Sequence, residues 1–356
     1  MDLYGIDTET VGRLEALLES GGTVTVTAHT HPDGDALGSV SGLVSFLREC
    51  RGMDAVAVLP DSPAATVRFI VPDSVPLLCF DTVPLLCFDT DPEACLARIA
   101  ASDLVFLLDG NGFSRTEGLW EAFEASPSPK VLVDHHVGPE RERFQAVFST
   151  PDVSSASELL YYILLELPDI GGDPGKLPAD TARALLTGMT TDTNNFAKSV
   201  YPGTFRMAAD LIAAGVDREA VLADLYHRYR ENRVRVMGYL QYENLHITPE
   251  GLAYIIATRD ILDRFGVENG ETEGLVNIPL SIDRVKMSIL LKEEEGHFRV
   301  SIRSKKGWSA RRCADRYFHG GGHENASGGK LFWPGDIAGP EAAAAYLEQV
   351  SQACLR

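Results

Sequence analysis

Short apolar runs separated by helical stretches dominate the first half of this chain. Residues 24–28 are short and β-branched, and residues 56–59, 104–108 and 131–133 are continuous apolar runs. Strands buried on both faces look like this. Between them, residues 36–50 carry apolar positions at helical spacing, and residues 116–125 read as a helix. Alternation of this kind predicts an α/β fold, a parallel sheet with helices on both faces. From 180 to 243 the pattern is mostly helical, with runs at 180–186 and 204–214 and a charged stretch at 226–235 that reads as a connecting helix. Beyond it the character changes. Residues 252–258, 285–291 and 298–303 read as strands, and 310–317 and 341–354 as helices, predicting a smaller α+β domain. The expected organisation is a first domain over 1–225, a helical linker over 226–246 and a second domain over 247–356.

One repeat interrupts the pattern. The octapeptide Val-Pro-Leu-Leu-Cys-Phe-Asp-Thr occurs twice in tandem, at 75–82 and 83–90. Two copies cannot form a solenoid, which needs several repeats to bury a face. The expectation is that one copy supplies a strand and the other a loop, with no functional meaning.

A chain of 356 residues suits two domains. Its 32 basic and 51 acidic residues give a net charge of −19. Long nucleic acid is therefore a poor partner, since non-specific binding rests on phosphate neutralisation by Lys and Arg. A phosphorylated ligand would have to be small and held by local charge. No apolar run reaches the roughly 18 residues of a membrane span. The six cysteines form no Cys-x-x-Cys pair, and the first residues carry no secretory pattern. The expectation is a cytoplasmic protein with reduced thiols.

The candidate chemistry sits at the ends of the apolar runs. His29-Thr-His-Pro-Asp33-Gly-Asp35 follows the first, Asp109 the third and Asp134-His135-His136 the fourth. In open parallel sheets ligands bind beyond the carboxyl ends of strands. Asp192 arrives separately, after the helical run and Gly188. Carboxylate oxygens and imidazole nitrogens converging on one crevice suit divalent cations. Six or seven such donors exceed one four-coordinate zinc site but suit two ions about 3.5–4 Å apart. Mn²⁺ fits this donor mixture best, with Mg²⁺ next. Each residue also has a bland explanation: Asp35 can cap the following helix, and His31 reads as a loop histidine. A second signal is the basic run Arg299-Val-Ser-Ile-Arg303-Ser-Lys-Lys, followed by Arg311, Arg312, Arg316 and His319-Gly320-Gly321-Gly322-His323. Glycines let backbone N–H groups approach an anion, and Arg303 can grip a phosphate bidentately. Trp308 reads as a core residue rather than a base-stacking platform.

Taken together and in order, His29-x-x-Pro-Asp33-Gly-Asp35-x-x-Gly38-Ser39, Asp109, Asp134-His135-His136, Thr191-Asp192-Thr193 and Gly320-Gly321-Gly322-His323-x-x-Ala326-x-Gly328 resemble the DHH/DHHA1 phosphoesterases. Within them the chain is most similar to the short oligoribonuclease type. The resemblance implies a DHH domain with a C-terminal DHHA1 domain. It implies hydrolysis of very short RNA to mononucleotides and dephosphorylation of 3′-phosphoadenosine 5′-phosphate. Linear or cyclic dinucleotide cleavage and a non-catalytic nucleotide-binding module are the alternatives. It also implies that His29, Asp33 and Asp109 hold one manganese and that Asp35, Asp109, His135 and Asp192 hold the other. His136 would touch the scissile phosphate and Asp134 would orient a histidine. Arg303, Gly320, Gly321, Gly322 and His323 would bind the rest of the substrate, with Arg115 as a further phosphate contact. The partners implied are short RNA and small phosphorylated nucleotides, with no long duplex and no membrane; a homodimer is left open. His319 departs from the pattern, standing where many relatives have another glycine.

Overall fold

The first unit owes its architecture to the buried apolar runs. The computed structural model describes residues 3–63, 67, 70, 84–227, 229–268 and 270–356. The chain divides into two units, Met1–Arg228 and Tyr229–Arg356. The first contains α1 (Thr8–Ser20), β1 (Thr23–Thr27), α2 (Gly34–Arg51), β2 (Asp54–Leu59), β3 (Leu85–Cys87), α3 (Pro92–Ala100), β4 (Leu104–Leu108), α4 (Trp120–Ala125), β5 (Lys130–Asp134), β6 (Ala146–Ser149), α5 (Ala156–Glu166), α6 (Ala179–Asp192), α7 (Pro202–Ala213) and α8 (Arg218–Tyr226). Among the described residues its strands form one sheet in the order β3-β2-β1-β4-β5-β6, parallel at every pairing.

Alternate residues of these strands enter opposite cores, as the pleat requires. Val24, Val26, Phe106 and Val133 face a core shared with α1, α2, α5 and α6. Val58, Val105, Leu107 and Leu132 face one shared with α3 and the Phe113–Phe123 aromatics. The strand order reverses between β1 and β4, so the crevice for a ligand opens beyond the carboxyl ends of that pair. Helix α2 starts there. It is buried from Gly34 through Leu47 and reaches solvent only in its last turn. Small residues let α6 lie against it: a Cβ on Gly38 would come 2.7 Å from the Gly188 Cα, and one on Gly34 would strike Thr191.

The second unit contains α9 (Glu231–Glu243), β7 (Leu245–Ile247), β8 (Leu252–Ala257), α10 (Arg259–Arg264), β9 (Met287–Glu294), β10 (His297–Ser304), α11 (Ala310–Tyr317), β11 (Gly321–Gly322), β12 (Ala326–Phe332) and α12 (Ala343–Cys354). Its sheet runs β11-β12-β10-β9-β8-β7 among the described residues, with β8 and β9 parallel and the other pairs antiparallel. Phe298, Val300 and Ile302 face α11 and α12. On the other side, Ile255, Ala257 and Leu290 pack against α9 and α10.

Several sequence expectations need correcting. Residues 116–125 are not one helix: a 3-10 segment, Phe113–Leu119, precedes α4, and Glu117 breaks the helical path with φ 40°. The charged stretch 226–235 is also interrupted, because α8 ends at Tyr226 and α9 opens at Glu231 after an extended Arg230. The two helices bury different faces, Val221 and Leu225 in one unit and Val236 and Leu240 in the other. Of the tandem octapeptide, the second copy supplies β3; the first lies outside the described residues. The thiols are not all reduced, since Cys313 and Cys354 form a disulfide between α11 and α12. Their Cα atoms are 4.8 Å apart, a proximity created by helix packing that a separation of 41 residues hides. Among the described residues no helix is long and apolar enough to cross a membrane.

Candidate metal centre

β1 delivers its chain end at His29, which is nearly buried. The loop then turns into α2, whose N-cap is Asp33: its Oδ1 accepts the Asp35 and Ala36 N–H groups at 3.0 and 3.2 Å. The cap is thus Asp33 and not Asp35. Asp35 lies in the first turn, wholly buried, with Oδ2 accepting the Ala156 N–H at 2.7 Å and Oδ1 the Ser157 N–H at 3.0 Å. These are the N-terminal amides of α5, a natural seat for an anion.

Asp109 follows β4 directly. Its φ of 52° is left-handed, a region Asp tolerates better than most residues, and its N–H donates to the Val133 carbonyl at 3.0 Å. That turn aims the carboxylate between two imidazoles. The His29 Nε2 lies 3.4 Å from Oδ2, and the His135 Nε2 lies 3.3 Å from Oδ1. Asp192, the last residue of α6, brings its Oδ2 to 3.7 Å from the His135 Nε2, and the Asp35 Oδ2 lies 4.0 Å from the same atom.

Among the described residues three groups of donors result, His29/Asp33/Asp109, Asp35/His135/Asp192 and Asp109/His135/His136, each with its ligand atoms within 4.8 Å of one another. Asp109 and His135 each belong to two groups. The residues fit a pair of cations by a direct observation: the buried Asp109 Oδ1 has no hydrogen-bond partner. Only the His135 and His136 nitrogens approach it, at 3.3 and 3.7 Å; a buried carboxylate oxygen that makes no hydrogen bond is costly, and a cation between the shared donors would satisfy it.

The electrostatics say the same. Burial pushes the Asp35 carboxyl up, and the neighbouring Asp109 and Asp192 push it further. Asp192 rises to about 6, through burial opposed by His135 and reinforced by Asp109. Asp109 is held well below the carboxylate range: burial would raise it, but His135 and His29 prevail. Burial would lower both histidines, yet Asp109 lifts His29 to about 9 and His135 to about 10. Positive charge is in demand here.

Asp134, at the end of β5 and wholly buried, grips His136 twice. It accepts the His136 backbone N–H at 3.1 Å and contacts Nδ1 at 2.8 Å. This fixes the ring's orientation and puts Nδ1–H toward the carboxylate. His31 is exposed and faces Asp61, with its Nδ1 at 3.3 Å, outside the three groups. Arg115 is half-buried in the 3-10 segment, and its carbonyl accepts the Thr30 N–H at 2.8 Å beside His29.

The other expected substrate residues lie in the second unit. Arg303 is half-buried on β10, donates to the Ile302 carbonyl at 2.9 Å, and forms no ion pair among the described residues. Gly321 and Gly322 form β11 against Gly328 and Ser327. Part of the need for glycine is internal, because a Cβ on Gly320 would strike the Gly328 carbonyl, whereas Gly321 is open. His323 is exposed, and its N–H donates to the Ala326 carbonyl at 2.8 Å. His319 has φ 47°, which explains why glycine suits its position, and its Nε2 lies 2.8 Å from Asp336.

Residues 23–189 match the DHH family, N-terminal domain, and residues 251–353 match the DHHA1 domain. The chain thus carries a DHH domain and a DHHA1 domain. It is 26% identical to the bifunctional oligoribonuclease and PAP phosphatase of Bacillus subtilis, over 87% of this chain and 90% of that protein. It is 31% identical to a probable protein of the same description from Streptococcus mutans, over 57% of this chain and 62% of that one. The match thus spans less than two thirds of the streptococcal protein's length. Among solved structures it resembles an exopolyphosphatase-related protein from Bacteroides fragilis, with a TM-score of 0.86, 28% identity and 98% of both chains covered.

Sequence reasoning missed the residues that support the DHH centre. Ala156 and Ser157 hold Asp35 through backbone amides, which no side-chain pattern reports. Ser155 and Glu158 are spaced as a capping box and would have located the start of α5. In the structure Ser155 caps Glu158 at 3.0 Å, while the Glu158 carboxylate is buried among Tyr4, Ser154 and Thr204. Gly38 and Gly188, which bring Asp192 into place, stand in plain view but have no meaning until the two helices are known to touch.

Proposed function

We propose that this protein is a metal-dependent phosphoesterase that hydrolyses short oligoribonucleotides to mononucleotides and removes phosphate from 3′-phosphoadenosine 5′-phosphate. The observation that carries the reading is the position of Asp109, buried between His29 and His135 with one oxygen that makes no hydrogen bond. The relatives named as oligoribonuclease and PAP phosphatase point to the same substrates.

His29, Asp33 and Asp109 would hold one cation, and Asp35, Asp109, His135 and Asp192 the other, with Asp109 shared. A divalent pair, manganese in this reading, supplies an activated water and neutralises charge on the phosphate. The chain's own residues do the rest. The α5 amides keep Asp35 in place. Asp134 holds His136 in one orientation, from which the imidazole would contact the scissile phosphate. Arg115 would add a cationic contact beside His29, and Arg303 with the Gly320–His323 loop would bind the substrate's phosphate or base in the DHHA1 domain. The net charge of −19 disfavours long nucleic acid and suits a small substrate.

The test is incubation of the purified protein with Mn²⁺ or Mg²⁺ and a ladder of 5′-labelled RNAs, with 3′-phosphoadenosine 5′-phosphate and dinucleotides in parallel. Mononucleotides from the shortest RNAs and phosphate from the bisphosphate are expected. No product from either substrate with either metal would remove the proposal, and turnover confined to dinucleotides would replace it with a dinucleotide phosphodiesterase.

A further inference from the structure

Glu158 is wholly buried in the first turn of α5 and forms no ion pair among the described residues. Burying a carboxylate is costly unless donors surround it, and four do. The Tyr4 hydroxyl donates to Oε1 at 2.7 Å, and the Thr204 hydroxyl donates to Oε2 at 2.7 Å. The Ser154 N–H donates to Oε2 at 3.1 Å, and the Ser154 hydroxyl donates to the same oxygen. Backbone closes in as well: a Cβ on Gly203 would strike the Tyr4 hydroxyl and come 2.9 Å from Oε1.

The donors come from segments that bear on the metal centre. In a capping box the third residue of a helix accepts the N–H of the cap. Here Ser155 is the cap and takes the Glu158 N–H at 3.0 Å, but the Glu158 side chain reaches one residue further back, to Ser154. The chain entering α5 is thus tied to the first turn on both sides of the cap. This leaves the Ala156 and Ser157 N–H groups to Asp35 and fixes where they point. Thr204 in turn accepts the Tyr201 N–H at 3.0 Å at the start of α7, the helix that residues 193–201 join to Asp192. One carboxylate therefore braces the seat of Asp35 and the far end of the segment that leaves Asp192. Both aspartates belong to the Asp35/His135/Asp192 group, whereas His29 and Asp33 belong to another and stand in the loop before α2.

We propose that Glu158 is a positioning residue of this centre: through Ser154 and Thr204 it presets the cation position formed by Asp35, His135 and Asp192. It acts through other residues and not on the substrate. The part played by a cation rests on the functional reading above; the bracing of the Ala156 and Ser157 amides does not.

Three variants of the full chain test it. Glu158→Gln keeps the volume but replaces one acceptor oxygen with an amide donor. Ser154→Ala removes one hydroxyl and is the milder change. Tyr4→Phe removes a donor from Oε1 alone, leaves both braces and serves as the control. In EDTA, hydrogen exchange read by mass spectrometry on peptides covering 154–158 should be faster in Glu158→Gln and Ser154→Ala than in Tyr4→Phe or the parent. Calorimetric titration with Mn²⁺ should show the step assigned to Asp35, His135 and Asp192 weakened about 10- to 100-fold in Glu158→Gln, and less in Ser154→Ala, with the other step unchanged. Saturating Mn²⁺ should then restore kcat on short RNA. Tyr4→Phe should lower the melting temperature and bind both ions as the parent does. Glu158→Gln, or Ser154→Ala if the first does not fold, binding both ions like the parent would overturn the inference. Equal weakening of both steps, or exchange rates that match the parent, would also overturn it. A parent that binds no manganese would sink the functional reading and the cation role with it, and the exchange rates would still decide whether Glu158 braces the amides.

Discussion

Gly188 of α6 lies against Gly38 of α2 so closely that a Cβ on either residue would collide with its surroundings. This contact delivers Asp192, four residues further along α6, to the centre that α2 opens with Asp33 and Asp35. Gly38→Ala should therefore act at a distance. Overpacking of this kind costs about 1–3 kcal/mol, so the melting temperature should fall. Withdrawal of α6 should weaken binding of the cation assigned to Asp35, His135 and Asp192 more than that of its neighbour. Metal titration by calorimetry would show this as selective loss of one step; loss of both steps equally, or of neither, contradicts it.

The carboxylate cluster sets a pH dependence in the metal-free protein. Asp192 titrates near 6 in the fold against an ordinary 3.8, and His29 and His135 near 9 and 10 against 6.5. All three bind protons more tightly folded than unfolded. Their stabilisation is complete below the ordinary values and is lost as pH rises through the folded ones. Asp109, with its carboxyl lowered, has the opposite sign, but its window lies in acid. In EDTA the melting temperature should fall between pH 6 and pH 9.5. Added Mn²⁺ should reverse that trend, because a cation replaces the protons. A metal-free stability that rises across this range would count against the arrangement.

Asp134 acts through His136. Asp134→Asn keeps the volume but weakens the hold on Nδ1, and losses for such supporting residues run about 10- to 100-fold. The expected loss is in kcat, with KM for short RNA little changed and metal content intact. A change confined to KM would make Asp134 a binding residue instead.

The disulfide between Cys313 and Cys354 closes a long loop in the DHHA1 domain. Removing it by Cys354→Ser should cost about 2–4 kcal/mol, read as an earlier unfolding transition in denaturant. Identical curves for the variant and the parent, both under non-reducing conditions, would show that the bond contributes nothing.

Much of this was legible in the chain because parallel strands announce themselves. Runs such as Leu104-Val-Phe-Leu-Leu have no polar face, and the residue after each run, His29 or Asp109, stands where the topology places ligands. The donor groups contain every residue the resemblance assigned to metal. What stayed hidden depends on tertiary contact. Which aspartate caps α2 is settled by backbone path, not by residue type, since both Asp33 and Asp35 are competent caps. The break at Glu117 follows from a single left-handed residue that no periodicity signals. β11 and β12 are glycine-rich and lack the side chains that mark strands.

The central claim is that Asp109 is shared by two cations, and counting bound Mn²⁺ in the parent and in Asp109→Asn tests it most directly. The parent should bind two ions per chain, and the variant should lose high affinity for both and at least about 10³-fold in turnover. A single ion in the parent, or a variant that still binds two tightly, would contradict the account.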